Sequence, residues 1–286
     1  MATFYLRNIG QRIYDEEPIF GYYFALLGIS SVHAEEKLSE YEKAVVALKW
    51  VKPPAVAELG DKAKLTLTKD HYFLGDDETQ KFLKLNQNLP QPNSYTLFYP
   101  DDDWFAIFHF MPEGYIKDDE KIDSDALMST LKAQNKESIE ERKKQGLPPL
   151  YLDGWYIPPH YDPESKRLEW ATKIHDEQNN PMVNFTVRIL GRGGYMSATL
   201  VSNPKSLDQD IKSFKTSLTK FEYNPGERYA EFQSGDKVAA YGLGALVVGG
   251  AAAAVASKGG FKFLWAIALA GFAAVSAFFK KIFGKK

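Results

Sequence analysis

The run "KVAAYGLGALVVGGAAAAVASKGGFKFLWAIALAGFAAVSAFFKKIFGKK", Lys237 to Lys286, limits what this chain can become. It is almost all Ala, Gly, Val, Leu and Phe, with lysines only at its edges and in one short break. Two apolar stretches stand out, Val238 to Ser257 and Phe263 to Phe279, separated by "SKGGFK". At about 1.5 Å per residue, each is about long enough to cross a bilayer core of roughly 30 Å. Neither carries the polar face of a helix lying on a water-soluble core. Small residues recur every four positions: Ala245, Gly249 and Ala253 in the first, Ala266, Ala270 and Ala274 in the second. Such ridges let helix backbones approach closely in lipid, where the hydrophobic effect cannot drive association. Tyr241, Phe261, Trp265, Phe278 and Phe279 lie near the ends, where rings favour the membrane interface. The expectation is a hydrophobic helical hairpin that anchors residues 237–286 in the bilayer. The alternative is a buried hairpin in a soluble oligomer, and nothing else in the chain is large enough to bury one.

The other end is shorter and mixed in character. "IFGYYFALLGIS", Ile19 to Ser30, has the length of a signal-peptide core rather than of a membrane span. Arg7 and Arg12 precede it, and Val32 and Ala34 occupy small-residue cleavage positions. Asp15, Glu16 and Glu17 also precede it and break the positive character that a signal favours. Residues 1–34 are expected to be a signal-like segment, residues 35–236 a soluble domain, and residues 237–286 the anchor. Two crossings after an exported domain leave "KKIFGKK" outside, against the positive-inside tendency, whereas one crossing leaves it inside; a cytoplasmic domain with a hairpin also satisfies the tendency but leaves the signal-like start without meaning.

Charge is nearly balanced, 35 basic against 37 acidic residues, so no global field favours nucleic acid. The absence of cysteine excludes disulfides, thiol catalysis and cysteine-ligated zinc. Within the soluble part, residues 35–50 pattern as an amphipathic helix stopped by "KPP". Strands are expected at Ala55 to Leu59 and Ala63 to Thr68 around the turn "GDK", then a helix at Asp76 to Leu85. Tyr95 to Tyr99 and Trp104 to Phe110 follow as strands, and "WFAIFHF" is apolar on both faces, as a central strand is. A long helix should run from Ser124 to Gln145. "LEWATKI", "VNFTVRI" and "YMSATLV" then alternate as antiparallel strands. Val183, Phe185, Val187 and Ile189 share one face, and Asn184, Thr186 and Arg188 a wetter one. Ser206 and Gln209 pattern as a capping box ahead of the stripe Leu207, Ile211, Phe214, Leu218 and Phe221. The fold class is α+β: an antiparallel sheet flanked by helices, followed by the C-terminal hairpin.

"AELGDKAKLTL", "DWFAIFHF" with "GYIKDDEKID", "GLPPLYLDGWYIPPHYDPESKRLEWA", "VNFTVRILGRGGYMSATLV" and "FEYNPGERYAEFQSGDKVAAYGLGALVVGG" stand in this order. Together they resemble a bacterial family of predicted membrane-anchored proteins, a domain of unknown function (family no. 2167), from about Val51 onwards. The family's members typically begin with a secretion signal and end with apolar helices. The resemblance implies a bacterial inner-membrane protein with its soluble domain on the periplasmic side, and it brings no functional residues. The closing helix followed by "FEY" also resembles the antiparallel sandwich of the Mog1/PsbP type, which bears on fold alone.

Chemistry-bearing residues are sparse. "GWYIPPHYDPE" holds Trp155, His160 and Asp162, and the last two suit a base with its orienter or a pair of metal ligands. No nucleophile or third ligand stands at a matching spacing, and a Pro-rich turn capped by Asp162 accounts for the same residues. "PDDDW" and "KDDEK" lack the spaced acids of a calcium loop and read as solvated turns. "LGRGG" reads as a hairpin turn. No cofactor or metal is expected. The expected partners are the lipid bilayer and a membrane protein or further copies of this chain, with no nucleic acid. The reading is a non-enzymatic binding or scaffold module. The alternative is a membrane-tethered hydrolase or metal-dependent enzyme centred on His160 and Asp162.

Overall fold

Among the described residues strands outnumber helices, and each strand pairs antiparallel with its neighbours in the sheet. A computed structural model describes residues 40–68, 71–86, 91–99, 104–144, 148–202 and 204–249. Residues 1–34, the acidic run Asp101 to Asp103, and the tail residues Ala253, Ala266, Ala270 and Ala274 lie outside the described residues. A three-stranded sheet has the order β1 (Ala55–Leu59), β2 (Ala63–Leu67), β10 (Phe221–Tyr223). A seven-stranded sheet runs β3 (Tyr72–Leu74), β4 (Ser94–Tyr99), β5 (Trp104–Met111), β9 (Tyr195–Val201), β8 (Pro181–Leu190), β7 (Arg167–His175), β6 (Tyr151–Asp162). The helices are α1 (Glu40–Val46), α2 (Asp76–Leu85), α3 (Ser124–Lys144), α4 (Leu207–Leu218) and α5 (Leu243–Val247), with a 3-10 turn at Tyr229–Glu231.

Alternation along the strands divides the large sheet into two unlike faces. Leu97, Ala106, Leu200, Phe185 and Ala171 lie in register across five strands on the first face. The small sheet and α4 cover that face. Phe214 of α4 is fully buried and meets Trp104, Phe108 and Phe185 edge-on, with centroids 5.6, 6.3 and 6.2 Å away. The second face carries two separate apolar clusters. One gathers Leu48, Phe82, Phe105, Ile174 and Val201 under α1 and α2. The other gathers Ile116, Leu131, Leu168, Trp170 and Tyr195 under α3 and the C-terminal segment.

Several sequence expectations change in the structure. Residues 151–162 form an edge strand rather than a turn, and its Pro158 and Pro159 fall where the pairing with β7 shifts register. An edge strand tolerates the missing N–H groups. The capping box before α4 does not form. Ser206 instead donates its hydroxyl to Asp210 Oδ2 at 2.7 Å, as Ser202 does, because the buried Asp210 carboxylate needs donors. Gly194 answers a tight contact in the "GRGG" turn, where a Cβ would collide with the Met111 carbonyl oxygen.

The largest correction concerns the first apolar stretch of the tail. No helix spans residues 238–249. Val238 bridges Tyr115, α5 takes only Leu243–Val247, and Gly249 adopts φ 114, which ends helical continuation. Leu243, Leu246, Val247 and Val248 are buried in the second-face cluster with Ile116, Trp170 and Tyr195. The anchor boundary expected at residue 237 therefore lies inside the folded domain. Among the described residues no helix is long and apolar enough to cross a membrane.

Phe214 fixes how α4 sits on the sheet. Phe214→Ala is expected to cost about 3–5 kcal/mol, the range for emptying a buried aromatic site. Urea unfolding followed by Trp fluorescence checks it; a midpoint within error of the parent contradicts this packing account.

Candidate functional site

Trp155, His160 and Asp162 all belong to β6, yet they serve separate ends. Trp155 is half-buried against the α3 cluster and donates its ring N–H to the Ser124 carbonyl at 3.1 Å. His160 is exposed on the edge strand, paired across to Glu169. Asp162 is committed to the β6–β7 turn, accepting the Glu164 N–H at 3.0 Å and the Ser165 hydroxyl at 2.6 Å. The Ser165 bond is the main cause holding its carboxyl below the ordinary range. A cleft of about 270 Å³ opens nearby, lined among others by Lys166, Arg167, Tyr223 and Arg228. Its lining includes none of the three, and its cations are engaged: Lys166 with Asp118, Arg167 with the Leu218 carbonyl at 2.7 Å, Arg228 with Glu231 at 3.4 Å. The two described tail residues of the small-residue ridge, Ala245 and Gly249, are half-buried on the domain.

"KDDEK" is not a solvated turn throughout. Asp118 Oδ2 accepts the Tyr161 hydroxyl at 2.6 Å and the Lys166 ammonium at 2.8 Å. Burial pushes the Asp118 carboxyl up, but Lys166, Tyr161 and Tyr229 together outweigh it and hold it below the ordinary value. Tyr229 donates to the Ile116 carbonyl at 2.7 Å and stacks on Tyr115, which also meets Phe232 at 4.2 Å. Glu120 accepts the Gly244 N–H at 3.0 Å. These contacts bind the 115–120 segment to β6, to the β6–β7 turn and to the C-terminal segment.

The wetter face expected for β8 lies between the two apolar clusters of the large sheet. Two rows cross it. Ser94, His109, Ser197, Arg188, Leu168 and Tyr161 are in register in the first, and Thr96, Ile107, Thr199, Thr186 and Trp170 in the second. Arg188, Ser197, Thr199, Ile107 and His109 are each half-buried. The Arg188 guanidinium lies 5.3 Å from the ring centres of both Trp170 and Tyr195, and its Nη1 donates to Ser197 Oγ. Its Nε is buried without a partner among the described residues, as is Asn184 Oδ1. Burial lowers the Arg188 pKa, with Tyr195 and Tyr241 opposing. His109 Nδ1 lies 3.3 Å from Ser94 Oγ and 3.2 Å from the Asn93 carbonyl; burial foremost, and Arg188, push its pKa down. This face is the candidate site. The alternation of "VNFTVRI" located its residues, but nothing local in the sequence marks Arg188 as lacking a counter-ion among the described residues.

With this geometry in hand, comparison with known proteins places the chain. Residues 52–282 match a family described as "Protein of unknown function (DUF2167)". The chain belongs to this family. The DUF2167 match covers most of the chain, as the resemblance in the sequence implied. No curated protein matches the chain. A similar solved structure is the solution structure of cyanobacterial PsbP (CyanoP) from Synechocystis sp. PCC 6803. Identity is 11%, coverage 61% of this chain and 95% of that one, and the TM-score 0.34.

The Asp118 carboxyl titrates lower folded than unfolded, so its contribution is present above about pH 4 and is lost as pH falls through the folded value. Asp118→Asn should lower stability by about 2 kcal/mol at pH 7, the scale of hydrogen bonds to a charged group. The deficit should shrink as pH falls through the folded value, where the parent carboxyl protonates too. Urea titrations at pH 7 and down through the acid range check this; a deficit that stays constant rejects the charge account.

Proposed function

We propose that this DUF2167 protein is a non-enzymatic binding or scaffold module, held to a bilayer by the apolar residues that follow Gly249. One observation carries the reading: the domain closes its own core on Leu243, Leu246, Val247 and Val248, and the positive φ of Gly249 ends that helical turn immediately before the apolar tail. With residues 238–249 engaged in the domain, the stretch Gly250 to Ser257 is too short to cross a core of roughly 30 Å even at the rise of a helix, about 1.5 Å per residue. Phe263 to Phe279 falls within the range that a single crossing needs, about 17–25 residues. One crossing with the domain on the periplasmic side leaves "KKIFGKK" inside, in agreement with the positive-inside tendency. The ridge Ala266, Ala270 and Ala274 then faces a second helix, from a membrane protein partner or another copy. The hydrolase or metal-enzyme alternative gains no support from β6, where His160 stands exposed and Asp162 is tied into its turn.

Alkaline carbonate extraction tests the tether. The full chain is expected in the membrane pellet, and a chain ending at Gly249 in the supernatant with its far-UV spectrum intact. Full-length protein in the supernatant overturns the proposal. Because the chain has no cysteine, Glu164→Cys in the exposed β6–β7 turn reports sidedness. An impermeant maleimide should label it in cells whose outer membrane has been permeabilised, and labelling only after lysis reverses the assigned orientation.

A further inference from the structure

Arg188 is the unusual group on the second face of the large sheet. It sits on β8, an interior strand, with β7 and β9 on either side. Taking a guanidinium out of water is costly unless a counter-charge or a full set of acceptors compensates it. Here the compensation is partial. Trp170 and Tyr195 flank the cation, and Ser197 Oγ accepts from Nη1. No carboxylate among the described residues forms an ion pair with it, and neither Nε nor Nη2 has an acceptor among them. Clamped between two rings and fixed at Nη1, the group has little rotational freedom left. The unused Nε–Nη2 edge is the side of a guanidinium that takes a carboxylate through two parallel N–H···O bonds.

We propose that the second face of the large sheet, between its two apolar clusters, is a binding site for a monoanionic carboxylate ligand with an apolar body, and that Arg188 is its anchor. The choice of a monoanion follows from the charge balance. His109 and Tyr161 are the other titratable groups in the Arg188 row. Burial foremost, and the Asp118 carboxylate, push the Tyr161 pKa up and keep its hydroxyl neutral, while burial together with Arg188 keeps His109 neutral at pH 7, so the row offers one positive charge. A carboxylate matches that charge and the planar edge, whereas a phosphate dianion would leave a negative charge half-buried beside the same cation. The neighbouring surface suits an apolar body: in the adjoining row the half-buried Ile107 is paired with Thr199, which is paired in turn with Thr186. Asn184 lies two residues from Thr186 on the same face of β8, and its buried, unpartnered Oδ1 offers an acceptor for a donor on the ligand. The site goes beyond the tether reading and does not depend on it, since the face belongs to the domain wherever the domain is held.

The test uses the full chain in a neutral detergent, with benzoate as probe, its neutral isostere benzamide as control, and inorganic phosphate as a third arm. Benzoate is expected to bind saturably by calorimetry and to shift the Arg188 Nε–H resonance, and benzamide to do neither. Arg188→Lys keeps the charge but not the bidentate edge and should weaken benzoate by about tenfold or more. Arg188→Met should abolish binding while the thermal midpoint holds or rises, because an unneutralised half-buried charge is removed. Equal response to benzoate and benzamide, unchanged binding in either variant, or an Nε–H resonance unmoved at saturation overturns the proposal. Saturable phosphate binding without benzoate binding overturns the carboxylate assignment. If Arg188→Met does not fold, Arg188→Lys and the parent Nε–H titration still decide. Failure here leaves carbonate extraction of the full chain unaffected, so the two readings fall separately.

Discussion

A seven-stranded antiparallel sheet must find cover for two faces, and here the first is sealed by one aromatic contact set around Phe214. With α4 and the small sheet spent on that face, the second is left to segments from elsewhere in the chain. The N-terminal helices α1 and α2 supply one end, and α3 with the C-terminal segment supplies the other. The strands between them carry Ser, Thr, His and Arg rather than Val and Leu, as suits a strip of sheet that no apolar element among the described residues covers. The polar strip is therefore a consequence of how cover is distributed.

The same economy explains the C-terminal route. After β10 the chain returns through Tyr229, whose hydroxyl reaches the Ile116 carbonyl, and pairs Lys237 and Ala239 with Tyr115 through backbone bonds. It then delivers α5 onto Leu168, Trp170 and Tyr195. Each apolar side chain so buried contributes about 1.5–3 kcal/mol relative to water. Leu and Val in this stretch are consequently not free membrane-seeking residues. An apolar run adjoining a domain can belong to the domain's core, and hydropathy alone does not separate the two solvents.

Much of the fold was legible where one period dominated. α2 at Asp76–Leu85, the central strand beginning at Trp104, and α3 beginning at Ser124 follow from apolar spacing and helix stops. The two faces of β8 followed from strict alternation in "VNFTVRI". β6 was not legible, because Pro158 and Pro159 argue for a turn unless the strand is known to lie at an edge, and edge position is a property of the finished sheet. Ser206 failed as a cap for a comparable reason: its competitor acceptor, Asp210, is buried only once α4 has docked. The Asp118 node joins residues more than forty positions apart in sequence, and no local spacing encodes it.

Arg188 shows the same limit in its sharpest form. In the sequence it is one arginine in an alternating strand, equivalent to any solvated cation. What distinguishes it is the arrival of Trp170 from β7 and Tyr195 from β9 on either side of its guanidinium. Cation–π contact of this kind is worth about 0.5–2 kcal/mol each, well short of the several kcal/mol lost on desolvating the charge. Methionine at this position would fill similar space without that loss, so the packing of β8 alone does not call for arginine. The rings hold the group in place and Ser197 fixes one nitrogen, which is the arrangement expected when orientation of the free edge matters more than the stability of the strand that carries it.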